Sequence, residues 1–194
     1  MVEKVNPEEE TMSIFDKIKE AASGVVQGAG NKCETFTFRT LPESLEAMKQ
    51  LPEASLDTPF KTAALGICAF CAYVAEREIG KGMLDFLKGP EPLNGAQIQF
   101  LNDRFCDKIY LPFSYFKGAV PENNYMPDEP FTITVASNPH SFSEEGYARL
   151  FVTSGGADSP RPITLRRKGN QWFLWNYSGV LSGIRTPKKD DPWA

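Results

Sequence analysis

Apolar residues are spaced in two different ways along this chain. Before about residue 106 they recur every three or four positions, as on one face of a helix. After about residue 131 they alternate with polar ones, as in half-buried strands. The change of period predicts an α+β fold: a helix-rich N-terminal half packed on a C-terminal antiparallel β-meander of about four strands. Segments 131–137 and 147–153 supply two of those strands. The other two form a hairpin across Gly169-Asn170, a two-residue loop of the kind used in primed turns.

That turn sets a register. Lys168 then faces Gln171, Arg167 faces Trp172, Arg166 faces Phe173, Leu165 faces Leu174 and Thr164 faces Trp175. Strict alternation gives one face with Ile163, Leu165, Arg167, Trp172 and Leu174. The other carries Thr164, Arg166, Phe173, Trp175 and Tyr177. Neither face is polar, so both are expected to be at least partly covered.

Caps and stripes predict further elements. Residues 34–39 alternate like a short strand, with Phe36 and Phe38 on one side. Pro42 opens a helix to about Leu51. Thr58-Pro59 caps an apolar helix to about Glu78, expected to be the central core helix. A helix near 83–87 stops at Gly89-Pro90, and another runs over 95–106 with Ile98, Leu101 and Phe105 buried. Residues 117–130 form a proline-punctuated connector. Residues 1–30 read as a flexible leader with a short amphipathic helix from Ile14 to about Val26, and Met12 resembles a second start. A single domain is expected over 31–186. A tail over 187–194 carries Trp193, whose indole is expected to dock on the body.

Charge adds one feature. The chain carries −4 overall, but residues 146–168 hold Arg149, Arg161, Arg166, Arg167 and Lys168 against Asp158 alone. This local basic patch is narrower than nucleic-acid binding usually requires. The 14–26 helix has balanced charges rather than the basic face that anionic membranes attract, so neither nucleic acid nor membrane is the expected partner. The longest apolar run, 63–75, is too short to span a bilayer, and the N-terminus lacks a signal-peptide pattern. A cytoplasmic location is the resulting expectation.

Catalytic signals are sparse. Cys68 and Cys71 match C-x-x-C but lie deep inside a predicted helix, and Cys33 and Cys106 are each 35 positions away. Buried free thiols are expected rather than a redox pair or a metal site. His140 is the single histidine, in a turn. No phosphate loop, dinucleotide fingerprint or serine elbow is present, so no cofactor and no catalytic residue is assigned. The loop 154–161 (Ser-Gly-Gly-Ala-Asp-Ser-Pro-Arg) has catalytic composition, but glycine and Asp/Ser also suit a plain strand connection.

These readings point to a binding or interaction module rather than an enzyme. The ligand-binding candidates are Arg149, Arg161, Arg166, Phe173, Trp175 and Tyr177, because aromatics with a few placed charges are what ligand sites use. The partner would be a protein or a small molecule. The competing reading is that the aromatics are core, under a helix or a terminal segment.

Several segments together resemble an uncharacterised family of small bacterial proteins of unknown function. They are Thr35–Phe38, Leu41–Leu45, Ala54–Ala64, Pro121–Tyr125, Ser154–Pro162, Gly183–Arg185 and Asp191–Ala194. The resemblance implies a bacterial, intracellular protein and transfers no activity. The helices and curved meander are also similar in architecture to cone-shaped α+β folds that bind ligands in a sheet pocket. From that similarity comes a second expectation, a pocket protein that binds or converts a small molecule with a buried carboxylate beside Trp175 and Tyr177.

Overall fold

One antiparallel sheet takes its strands in sequence order, in a computed structural model that describes residues 31–193. The strands are β1 (Cys33–Phe38), β2 (Phe131–Ala136), β3 (Tyr147–Val152), β4 (Arg161–Lys168) and β5 (Gln171–Asn176). The expected four-strand meander is present, and β1 joins it as a fifth strand by pairing Phe36 with Ile133. The leader and the helix expected from Ile14 lie outside the described residues.

Alternation sorts the strands as the period requires. The inner face carries Phe36, Phe38, Ile133, Val135, Leu150, Ile163, Leu165 and Leu174, all buried. The outer face carries threonines on β1 and β2, which meet as Thr35–Thr134 and Thr37–Thr132 pairs.

The β4–β5 hairpin confirms four of the five expected pairs, from Lys168–Gln171 to Leu165–Leu174. The fifth fails. Thr164 pairs with Asn176 rather than Trp175, because the register shifts between Thr164 and Leu165. Trp175 is therefore the extra residue of a bulge, which breaks the two-residue alternation. Trp175 keeps its outward place, 38% exposed, whereas the bulge turns Tyr177 into the core. The outer face of the hairpin is partly covered: Phe173 is half-buried against Gly89, while Arg166 and Trp175 are exposed.

Among the described residues four α-helices precede β2: α1 (Leu45–Lys49), α2 (Pro59–Ala75), α3 (Arg77–Lys88) and α4 (Gly95–Phe105). Thr58 caps α2 by accepting from the Lys61 N–H, with Pro59 at its first position. Helix α2 is buried almost all round and packs against the sheet, where a Cβ on Gly66 would lie 3.7 Å from Ile163 and Leu174. It ends at Ala75, together with its apolar run and short of the expected Glu78. Glu76 is extended (φ −147°), and α3 begins at the next residue. Gly80 lets α3 fold back on α2, since any Cβ there would meet the Tyr73 backbone.

The free edge of β5 is closed by the helical layer. The Trp172 N–H donates to the Leu56 carbonyl at 2.8 Å, and the Thr62 hydroxyl donates to the Trp172 carbonyl at 2.8 Å. Such bonds satisfy groups that would otherwise invite another strand. At the C-terminus, Trp193 is 93% exposed, so the expected docking of its indole on the body does not occur.

Candidate functional site

The buried stripe of α3 runs Gly80, Met83, Leu84, Leu87 and Lys88, which is helical spacing on one face. A lysine thus occupies an apolar position at the last turn. Lys88 is only 6% exposed. Its neighbour Asp85 is already engaged, accepting from Lys81 at 2.7 Å and from the Leu93 N–H at 2.8 Å. Among the described residues Lys88 makes no ion pair and no side-chain hydrogen bond. Burial pushes its amine below the ordinary lysine range, against the weaker opposing pull of Glu91 and Asp85.

Gly89 ends α3 at φ 63°, a conformation that favours glycine. A Cβ there would also collide with the Phe173 ring. The close approach seats the β4–β5 hairpin against the end of α3 and leaves a cleft of about 340 Å³ between them. Lys88, Glu91, Arg166, Lys168, Phe173 and Trp175 line it.

Arg166 is held in place by aromatics. Its guanidinium lies 4.6 Å from the Trp175 ring centre and 5.7 Å from that of Tyr147. The two rings meet edge to face at 5.9 Å. Tyr147 is Arg166's partner across β3 and Phe173 its partner across β5. An ion pair to exposed Glu91 at 3.8 Å is long and contributes little. Arg167 also borders the cleft, donating from Nε to the Gly169 carbonyl at 3.0 Å and lying over Trp172 at 6.0 Å.

Of the six expected site residues, the cleft unites Arg166, Phe173 and Trp175. Arg149 shares the outer face but pairs with Thr164 and lies over Phe151, outside the cleft. Arg161 is on the other face, because it stands five residues from Arg166. Its Nε donates to the Gly179 carbonyl at 3.3 Å, and its guanidinium fills the space over Gly183. Tyr177 is core, 5.5 Å from Phe70 and 6.4 Å from Phe100 between ring centres. Its buried hydroxyl has no partner among the described residues, and burial pushes it up to about 12.

The remaining candidates resolve as packing. In the 154–161 loop, Ser154 bonds Ser114 at 2.9 Å, and a Cβ at Gly155 or Gly156 would strike Ala119 or Tyr125. Asp158 points out to Arg185 at 2.8 Å. Cys68 and Cys71 are buried free thiols, both pushed up by burial. No Asp or Glu among the described residues is buried, so none sits beside Trp175 as a buried acid or base.

Lys88 is not among the residues expected from sequence, although its signal is there: carrying the Met83–Leu87 stripe one position further lands on it. Among the described residues no helix is long and apolar enough to cross a membrane. No curated protein and no solved structure matches the chain. A family model does match, over residues 40–188, and by that match the chain belongs to the family described as a domain of unknown function (DUF6935).

Proposed function

We propose that this protein is a non-enzymatic binding module, and that its ligand enters the cleft between the end of α3 and the β4–β5 hairpin. The observation that carries this reading is the stacked Arg166–Trp175 pair at the cleft, with Phe173 opposite Arg166 and an indole left 38% exposed. Exposed aromatics beside a preoriented charge are suited to gripping a small molecule. The binding unit is residues 31–186, with 1–30 a leader and 187–194 a tail. A bacterial cytoplasmic setting fits the sequence resemblance and the reduced thiols.

The test is a panel of small planar and anionic fragments, followed by NMR of the Trp175 indole N–H. Fragments are expected to move that signal, and the responses should weaken in Arg166→Ala, which removes the guanidinium lying over the indole. A panel whose shifts map to other surfaces, or to none, would overturn the reading.

A further inference from the structure

The same cleft holds a charge arrangement that narrows the ligand, an assignment that rests on the binding function proposed for it. Lys88, Arg166 and Lys168 line the cleft with one carboxylate, Glu91, against them. Arg167 lines the cleft as well, and its guanidinium keeps its charge although its Nε donates to the Gly169 carbonyl. We infer that the floor of this cleft binds a phosphomonoester, with the dianion beside Lys88, Arg166 and Lys168 and the organic part against Phe173 and Trp175.

Lys88 is the decisive group. Its stem is buried and its ammonium is partly desolvated where it meets the cleft, and neither Asp85 nor any other described carboxylate pairs with it. An entering dianion supplies the missing partner. Four cations against one carboxylate leave a net charge of about +3, an excess that a phosphomonoester's charge of about −2 near neutral pH offsets better than a single negative charge does. A monocarboxylate would leave more of it uncompensated. Charge-assisted bonds of this type are also stronger than neutral ones. Phe173 and Trp175 give the site an apolar wall that inorganic phosphate would not use.

Phenyl phosphate is the probe, titrated calorimetrically into the full chain with benzoate and inorganic phosphate as comparisons. Phenyl phosphate is expected to bind about tenfold or more tighter than either. Lys88→Met should weaken it by about tenfold or more while still unfolding cooperatively. On the unaltered protein, the ¹³Cε signal of Lys88 should move as phenyl phosphate is added. Equal binding of benzoate or inorganic phosphate, unchanged affinity in Lys88→Met, or a Lys88 signal that stays still would each overturn the phosphomonoester assignment. Planar fragments that still shift Trp175 in that case would leave the binding function intact. Absence of binding by every probe would remove both.

Discussion

Replacing Lys88 by methionine is expected to make the free protein more stable. Methionine keeps an unbranched stem of similar length in the α3 stripe, beside Leu84 and Leu87. It removes an amine that is partly desolvated at the cleft and lacks a protein partner among the described residues. A fully buried unpaired polar group costs about 1–3 kcal/mol in protein mutational series, which is the upper bound for a nitrogen that meets the cleft. The charge at α3's C-terminus returns part of that, roughly 0.3–1 kcal/mol through the helix dipole. A net gain of up to about 2 kcal/mol remains, or up to about 8 °C in Tm for a chain of this size.

The pH dependence has a defined sign. The amine's folded pKa lies below its unfolded value, so between the two the unfolded chain binds more protons, and folding becomes more favourable as pH rises. The advantage of Lys88→Met should therefore shrink toward pH 10.5. Buried tyrosines act oppositely. Tyr125 and Tyr177 are raised from 10.0 to about 12, so folding loses stability as pH climbs through that window. They are common to both proteins and cancel in the difference. Urea denaturation of both at neutral and alkaline pH measures it. A variant less stable than wild type by more than about 1 kcal/mol would show that Lys88 is held by a structural partner.

Two further substitutions probe the walls of the cleft and the core beside it. Gly89→Ala forces a side chain into φ 63° and against Phe173, so a loss of about 2 kcal/mol or more is expected in thermal unfolding; adding Phe173→Ala should recover only the steric part, and full recovery would refute the backbone contribution. Tyr177→Phe deletes a buried hydroxyl with no partner, so stability should hold or rise by up to about 1 kcal/mol, and a clear loss would reveal an unrecognised acceptor.

Much of this fold can be read from local rules. The Thr58-Pro59 cap, the Gly169 turn and the alternation of β2 to β4 are short-range features, and each forms as its residues require. The features that escape are those that depend on one residue of phase. The bulge at Trp175 has no glycine to announce it, yet it moves Tyr177 into the core. The parity of β4 places Arg161 away from Arg166, although both belong to one basic stretch of sequence. The break at Glu76 falls just inside the helix expected to run to about Glu78, where α3 folds back on α2. Lys88 is missed when charge is taken as a sign of exposure, whereas its stripe position predicts burial. Arg166 and Trp175 are legible because adjacent strands bring cross-strand partners together wherever the register is right.

Whether Lys88 waits for a dianion is answered by an NMR titration of its amine, with and without saturating phenyl phosphate. A partly desolvated amine lacking a counter-charge titrates below the ordinary lysine range in the free protein and is driven upward when the dianion binds. An amine that titrates as an ordinary lysine in the free protein, and is unmoved by phenyl phosphate, would contradict both the desolvation cost and the phosphomonoester site.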